Sequence, residues 1–114
     1  MKAKKIFFAD SRVAGRKYYD CDLVMDQLKV GSIVRLEHEE NNAYDANAVQ
    51  IIFNHEDEDF LLGYLPQGEQ VEIAKLLQAG WTELFECRIS KIDLTLHSEK
   101  QLSITIRINR KEKK

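Results

Sequence analysis

The chain has 114 residues, of which 44% are hydrophobic and 32% charged, and its formal net charge is −2. This length predicts one domain with a single core, and no apolar run approaches the roughly 18 to 20 residues of a membrane-spanning helix. A negative net charge excludes a protein that coats nucleic acid non-specifically, because such binding depends on many cations that neutralise phosphates. We therefore expect one cytoplasmic domain over residues 1–114, with an ordered core at about 4–110 and a basic tail at 111–114.

The first half of the chain predicts short strands separated by turns. Residues 4–13 are rich in aromatic and β-branched side chains, and the short apolar patch in MKAKKIFFAD indicates a strand rather than a signal peptide. Asp22 is predicted to cap a short helical segment that ends near Gly31. The alternation of residues 32–37 and the apolar run of residues 48–53 predict two further strands.

The middle of the chain predicts a β-hairpin followed by one well-formed helix. Residues 54–59 are typical of a charged turn and residues 60–65 of the returning strand. Pro66 then opens a helix whose apolar face extends to Leu77, and Gly80 ends it in the left-handed conformation that glycine favours. Such a helix packs on a core and is not expected to catalyse a reaction.

The last part of the chain predicts two strands. Residues 81–96 are long for one strand, and their apolar positions change phase near Ser90, which predicts a bulge or bend there. Residues 102–109 alternate strictly, with leucine and isoleucine facing inward. About six strands, one well-formed helix and one short helical segment predict a mainly β fold, a small and partly open β-barrel.

The charges are unevenly distributed along the chain. Residues 1–20 and 101–114 together carry eleven Lys or Arg against three acids, whereas residues 21–100 carry six against sixteen. Chain ends often lie close together in small domains, so pairing of the first and last strands would give a basic face on an otherwise acidic protein. Alternatively, residues 111–114 are a frayed, solubilising tail.

Cysteine and histidine usage indicates neither a disulfide nor a metal site. Cys21 and Cys87 lie far apart in the sequence and lack the spacing of metal ligands, so two free thiols are expected. The three histidines are scattered among polar stretches, and a metal site would need distant loops to converge. We expect no metal and no cofactor.

A first segment with candidate chemistry is VAGRKYYD, residues 13–20. A glycine turn is followed by two cations and two adjacent tyrosines. Neighbouring side chains of an extended chain point to opposite faces, so one ring is expected in the core and the other in solvent beside a cation. An exposed ring can stack on a base while the cation contacts its phosphate. The alternative is that both rings fill the barrel.

A second such segment is EENNAYDANAV, residues 39–49. Its three asparagines and one aspartate are consistent with turn chemistry alone, because these side chains bond their own backbone. Alternatively, Asp45 can accept a hydrogen bond from a sugar hydroxyl, and the asparagine amides can donate to phosphate oxygens. Both interpretations are open at the level of sequence.

Three segments in this order resemble the HIRAN domain: FFADSRVAGRKYYD, LKVGSIVRLEHEENNAYDANAVQI and LLGYLPQGEQVEIAKLLQAG. The resemblance extends from about Ile6 to Arg107. HIRAN domains occur alone in bacteria and attached to Snf2-type helicases and nucleases. The resemblance implies an OB-like or SH3-like barrel that binds single-stranded DNA, at a free 3′ end in characterised eukaryotic members.

The resemblance also implies roles for particular residues. The run from Lys17 to Tyr19 matches a basic-aromatic-aromatic run that contacts nucleotide and phosphate. Asp45, in the polar loop, is the candidate acceptor for a terminal 3′ hydroxyl. The predicted nucleic-acid-binding residues are Arg16, Lys17, Tyr18, Tyr19, Asn41, Asn42, Tyr44 and Asp45.

Two positions depart from the family pattern. Ala43 stands where a proline usually precedes the tyrosine, which loosens the loop but keeps its polar groups. Gln67 follows Pro66 where members commonly have a basic residue, so one phosphate contact is expected to be missing. These departures predict a lower affinity or a different ligand.

Three functional classes follow from the sequence. The leading hypothesis is a non-catalytic module that binds single-stranded DNA or a DNA end, with RNA as an alternative ligand. It would act in repair or replication-fork processing beside a helicase or nuclease, and no membrane partner is expected. The second is an adaptor that binds protein through an exposed strand edge, which the acidic middle of the chain favours. The third is a nuclease, which needs several acids converging with a lysine or histidine that no motif provides.

Overall fold

The computed structural model describes residues 4–111, so the predicted basic tail beyond Lys111 lies outside the described residues. Six antiparallel strands form one sheet: β1 (Ile6–Arg12), β2 (Ile33–His38), β3 (Val49–His55), β4 (Glu58–Tyr64), β5 (Phe85–Ile92) and β6 (Leu102–Ile108). The described residues also form two α-helices, α1 (Cys21–Val24) and α2 (Val71–Gln78). They contain three 3₁₀ turns as well: Arg16–Tyr18, Met25–Gln27 and Ser98–Lys100. In residues 4–111 no helix is long and apolar enough to cross a membrane.

The sheet has the order β1-β6-β5-β2-β3-β4 and curves into a partly open barrel. Its two ends meet only just beyond β1, where the backbone N–H of Ala14 donates to the carbonyl of Tyr64 (2.8 Å) and the N–H of Tyr64 donates to that of Ala14 (3.0 Å). We call this pair of hydrogen bonds the closing bridge. The predicted mainly β fold, its six strands, one well-formed helix and one short helical segment are confirmed.

The predictions of strands β2 to β6 hold because each of these strands buries side chains in the core. Val34 and Leu36 are buried on β2 while their neighbours are exposed, as the period of two requires. On β5 and β6 the pairing register shifts between Ile89 and Lys91, which confirms the bulge predicted near Ser90. Strand β5 is shorter than the predicted 81–96, because a loop precedes Phe85 and turns follow Ile92.

The β3–β4 hairpin is tighter than its charged sequence predicts. Pairing continues to His55 and Glu58, which leaves only Glu56 and Asp57 in the turn. Both of these residues have positive φ, 51° and 66°, as the primed two-residue turns require. The turn therefore spans two residues rather than 54–59.

Helix α1 begins one residue before the predicted cap. Asp20 occupies the capping position and Cys21 starts the helix, so the prediction that Asp22 caps it is wrong. The carboxylate of Asp22 instead accepts a hydrogen bond from the guanidinium of Arg16. Because the carboxylate of Asp22 is paired with Arg16, it does not cap the backbone N–H groups of the helix.

Strands β2 to β6 and both helices contribute to one hydrophobic core. Cys21 and Cys87 are buried in it as free thiols, which confirms that expectation. Burial raises the pKa of the Cys87 thiol to about 12, because the thiolate would lose its hydration. Strand β1 contributes no fully buried side chain and is an edge strand of the sheet.

The first and last strands lie side by side, as chain ends often do in small domains. β1 pairs with β6 from Ile6 opposite Ile108 to Arg12 opposite Ser103. The face is less basic than predicted, because Lys5 pairs with Glu86 at 3.3 Å and Arg12 pairs with Glu99 at 3.0 Å. Acidic residues from the middle of the chain therefore neutralise some of the positive charge near the N-terminus.

Gly63 is required at the closing bridge by the close approach of the two backbones. A Cβ there would lie 2.4 Å from the carbonyl oxygen of Ala14 and 2.7 Å from a methyl carbon of Val13. We expect Gly63→Ala to lower the free energy of unfolding by about 1–3 kcal/mol, the usual cost of forcing extra carbon into a packed site. Urea denaturation measures this loss.

The control for this substitution is Gly31→Ala. Gly31 has no atom within 4 Å of an added Cβ, but its φ is +98°. That change tests backbone strain alone and is expected to cost about 1–2 kcal/mol without opening the barrel. If both variants keep the backbone amide protons of Ala14 and Tyr64 equally protected from hydrogen exchange, the bridge does not depend on Gly63.

Candidate functional site

A cavity of about 280 Å³ opens beside the closing bridge. The turn after β1, the polar loop between β2 and β3 and the end of β4 all contribute to its wall. The structure therefore brings together the two segments that the sequence singled out. The lining residues are Ala14, Gly15, Tyr19, Asn42, Tyr44, Asp45, Ala48, Tyr64, Leu65 and Gln67.

The turn after β1 is fixed from the opposite end of the chain. Gly15 has φ 72°, a left-handed conformation that glycine adopts without strain. Its backbone N–H donates to the carboxylate of Glu99 at 2.8 Å and 3.1 Å. The same carboxylate accepts a hydrogen bond from Arg12 at 3.0 Å. Glu99 thus holds the turn in place from the 3₁₀ turn before β6.

The two tyrosines of this segment are both exposed, so the expectation that one of them enters the core is wrong. Residues 16–18 form a 3₁₀ turn rather than extended chain, and the alternation of faces does not apply. Tyr18 is 71% exposed, and the ammonium of Lys17 lies 5.4 Å from the centre of its ring. Tyr19 lines the cavity and packs edge-on against Tyr64, with ring centres 5.2 Å apart.

The two cations of the segment lie in different surroundings. The side chain of Lys17 is exposed, whereas Arg16 is only 7% exposed and is paired with Asp22 at 2.5 Å. Arg16 does not line the cavity; it ties the 3₁₀ turn to helix α1. Its Nε atom has no hydrogen-bond partner among the described residues.

Turn chemistry organises the polar loop. The side-chain oxygen of Asn42 accepts hydrogen bonds from the backbone N–H groups of Tyr44 (2.8 Å) and Asp45 (2.9 Å). One carboxylate oxygen of Asp45 accepts from the N–H of Asn47 at 2.9 Å. Tyr44 is 96% exposed at the cavity mouth, and Asn41 is exposed just before it. The loop is thus preorganised, although Ala43 replaces a proline.

A buried glutamine that sequence reasoning missed positions Asp45. Gln70 is only 2% exposed, and its Nε2 donates to the second carboxylate oxygen of Asp45 at 2.9 Å. Its own side-chain oxygen is buried without a partner among the described residues. Gln70 immediately precedes helix α2. The sequence offers one indication of this role, a polar residue just before a helix. That indication does not reveal that Asp45 is the partner of Gln70.

Glu39 is a second residue whose role the sequence did not reveal. Its carboxylate accepts hydrogen bonds from the side chains of Asn42 (2.7 Å), Gln50 (2.9 Å) and Tyr64 (2.8 Å). Partial burial of the ring, together with this carboxylate, raises the pKa of Tyr64 to about 12. Glu39 thus joins the polar loop to strands β3 and β4.

The chain matches the family model of the HIRAN domain over residues 6–109, nearly its whole length. It belongs to the HIRAN family. The crystal structure of a protein from Lactobacillus plantarum is similar to it, with a TM-score of 0.73 at 24% identity, covering 94% of this chain and 98% of that one. The HIRAN domain of human HLTF is also similar, with a TM-score of 0.60 at 17% identity, covering 93% and 80%. No curated protein matches the sequence significantly.

The cavity of this HIRAN domain combines aromatic walls with a fixed hydrogen-bond acceptor. Tyr19, Tyr44 and Tyr64 are among its lining residues, although Tyr44 is 96% exposed, and Asp45 supplies carboxylate oxygens with spare lone pairs. Of the described residues that line it, none is Lys or Arg. Its volume lies near the lower end of the range for small-ligand sites, about 300–1,000 Å³. The carboxylate of Asp45, with no Lys or Arg among the described lining residues, makes the cavity electrostatically unfavourable for a phosphate.

The raised pKa of Tyr64 predicts a loss of stability of this HIRAN domain at high pH. In the unfolded chain a tyrosine loses its proton near pH 10, whereas Tyr64 in the folded protein loses it near 12. Between these values the unfolded state binds fewer protons, so the free energy of unfolding falls as pH rises. Urea denaturation from pH 8 to 11 should show a shallower fall for Tyr64→Phe than for the wild type.

A second variant tests the cause of this effect. Glu39→Gln removes the negative charge beside the phenol, which lowers the pKa of Tyr64 and reduces the difference from the unfolded chain. We expect its stability to fall less steeply than that of the wild type. Three identical slopes would contradict the assignment of the effect to this pair.

Proposed function

We propose that this HIRAN domain is a non-catalytic module that binds the 3′ end of single-stranded DNA, with the terminal nucleotide in the cavity beside the closing bridge. One observation carries the proposal: a carboxylate held by two hydrogen bonds lies in a cavity whose walls include three tyrosines. A nucleoside end needs this combination, because its base has a flat apolar face and its sugar has a hydroxyl donor.

The rings supply the larger part of the affinity in this proposal. Stacking of a base on an aromatic side chain contributes about 1–3 kcal/mol and tolerates any base. Tyr44 projects almost fully into solvent at the cavity mouth, and Tyr19 is braced by Tyr64. Tyr18 is a third exposed ring, outside the cavity and next to Lys17. A strand leaving the cavity can stack there while Lys17 contacts its backbone.

The charge distribution supports an end bearing a hydroxyl group. Asp45 accepts a hydrogen bond from a 3′ hydroxyl but repels a 3′ phosphate, and none of the described lining residues offers a compensating cation. The phosphates of the strand remain outside, near Lys17 and the exposed amide of Asn41. Asn42 and Arg16 shape the site in this proposal: the Asn42 side chain bonds Glu39 and the loop backbone, and Arg16 is buried and paired with Asp22.

The HIRAN resemblance supports a wider biological role as part of this proposal. The module acts in the cytoplasm, in repair or replication-fork processing, beside a helicase or nuclease that supplies the chemistry. RNA is a competing ligand, because the 2′ hydroxyl adds a second donor near Asp45.

The first test compares strand ends. Fluorescence anisotropy should show that a short single strand with a 3′ hydroxyl binds about tenfold or more tightly than the same strand with a 3′ phosphate, since a hydrogen bond to a charged group contributes about 1.5–3 kcal/mol. In Asp45→Asn the two affinities should converge, because the variant loses the charged acceptor and the repulsion together.

The matched control is Asp57→Asn. Asp57 lies in the hairpin turn at the far end of β4 and has the positive φ that asparagine tolerates. It should bind both strands as the wild type does. Equal binding of hydroxyl and phosphate ends by the wild type would remove end recognition from the proposal.

A second test restores the cation that this chain lacks. Gln67 lines the cavity, and Gln67→Lys is expected to tighten binding at low salt by adding one phosphate contact. Each contact on a single strand steepens the dependence of log K on log salt by about 0.7. Gln78→Lys adds the same charge at the exposed end of α2 and should leave the slope nearly unchanged. Equal slopes for the two variants would show that Gln67 does not face the strand.

A protein-binding adaptor is the second candidate, and one observation favours it. Strand β1 is an edge of the sheet, and Ile6, Phe7 and Phe8 are exposed on it. An extended segment of a partner can add to such an edge. A stoichiometric complex with one protein that survives nuclease treatment, together with no measurable oligonucleotide binding, would replace the first candidate with this one.

A further inference from the structure

A second cavity, of about 400 Å³, lies at the other end of strand β6. It is formed by the loop between α2 and β5 and by the residues that follow β6. No residue is shared with the cavity beside the closing bridge. Its lining residues are Gly80, Trp81, Thr82, Glu83, Leu84, Asn109, Arg110 and Lys111.

Trp81 is 59% exposed in this cavity and is not part of the hydrophobic core. Its position is nevertheless fixed by the backbone. Gly80, with φ 97°, ends helix α2, and the N–H of Trp81 then donates to the carbonyl of Leu76 at 3.1 Å. The carbonyl of Trp81 accepts from the N–H of Leu84 at 3.3 Å. A large apolar ring is therefore exposed to solvent on a hydrogen-bonded loop, outside the hydrophobic core.

Asn109 joins this loop to the chain end. Its backbone N–H donates to the carbonyl of Leu84 at 2.8 Å, and its side-chain amide donates to that of Glu83 at 2.9 Å. Its side-chain oxygen accepts from the ammonium of Lys5 at 2.8 Å. These three hydrogen bonds set the two residues after Asn109 beside the tryptophan loop.

The cations of this cavity remain available to a ligand. Arg110 and Lys111 are exposed, and neither forms an ion pair with any residue in the range 4–111. By contrast, Arg12, Arg16 and Lys5 are all paired with carboxylates. Glu83 is the one acid among the described lining residues, and its backbone carbonyl is engaged by Asn109.

We propose that this cavity is a second contact site for the same single strand, with Trp81 stacking on a base and Arg110 and Lys111 contacting its phosphates. The inference rests on the proposed function, because it concerns the strand whose end occupies the first cavity. An exposed ring that shares a cavity with unpaired cations is an arrangement by which proteins hold single strands without reading their sequence.

The distance between the cavities sets the length of strand that reaches both. Val13, next to the first cavity, bonds to Leu102 at the start of β6, and Asn109 follows its end. The seven residues of β6, at about 3.3 Å each, therefore separate the two cavities by roughly 23 Å. A stacked strand rises about 3.4 Å per nucleotide, so roughly seven nucleotides separate the two sites. A strand of four nucleotides is too short to join them, and one of twelve is long enough.

Tryptophan fluorescence tests this directly, because Trp81 is the only tryptophan in the chain. The intact protein is titrated with oligothymidylates of four and twelve nucleotides bearing a 3′ hydroxyl, and anisotropy is followed in parallel. The twelve-nucleotide strand should quench Trp81 over the same concentrations that raise its anisotropy. The four-nucleotide strand should bind without quenching.

The variant that removes the cations is Arg110→Gln/Lys111→Gln. For the longer strand its dependence of log K on log salt should be shallower by about 1.4, two contacts at about 0.7 each. For the shorter strand no change is expected. The matched control, Lys29→Gln/Lys75→Gln, removes two exposed cations elsewhere and should alter neither slope.

The outcomes separate this inference from the proposed function. Preference for a 3′ hydroxyl with no quenching of Trp81 by the longer strand would overturn the second site and leave the first. Quenching that persists in Asp45→Asn, without end preference in the wild type, would support the second site and remove end recognition. Quenching by an acidic peptide but not by either oligonucleotide would overturn the second site in favour of a protein ligand.

Discussion

Two backbone hydrogen bonds between Ala14 and Tyr64 hold the turn after β1 against the end of β4, where the cavity of the proposed site lies. They join the ends of a sheet that is otherwise open, and they do so only because Gly63 has no side chain to keep the backbones apart. The close contact of these two backbones places the turn after β1 next to the end of β4. The segment that leads into α2 follows immediately. Together with the hydrogen bond from the N–H of Asp20 to the carbonyl of Leu61, the closing bridge places the basic-aromatic turn beside the asparagine-rich loop.

Carboxylates, rather than cations, build the site around this bridge. Glu99 holds the turn through the N–H of Gly15, Glu39 joins the polar loop to Tyr64, and Asp45 is held by Gln70. The acidic residues in the middle of the chain therefore position the elements of the site, in addition to giving this region its negative charge. In the proposed function the site therefore selects its ligand by hydrogen bonding and stacking, because a phosphate inside the cavity would face the carboxylate of Asp45 without a Lys or Arg among the described lining residues.

The sequence predicts the strands well and the site less well, and the reason is physical. Alternation along β2 and β6 reports burial of one face, a property of neighbouring residues. The bond between Gln70 and Asp45 joins residues far apart in the chain, and no local pattern encodes it. The tyrosines were misjudged because a 3₁₀ turn replaces extended chain at Arg16. The two segments that the sequence singled out do line one cavity, although periodicity alone does not predict that they meet.

The separation of charge along β6 explains how a protein of net charge −2 can still engage nucleic acid in the proposed manner. A DNA strand is itself asymmetric: its 3′ terminus is neutral, and every other linkage carries a negative charge. One end of β6 adjoins a cavity whose carboxylate suits the neutral terminus, and the other adjoins Arg110 and Lys111. Bound in the opposite direction, a strand would bring phosphates to Asp45 and its free hydroxyl to the cations. Polarity of binding then follows from the placement of a few charges, without the large basic surface that non-specific binding requires.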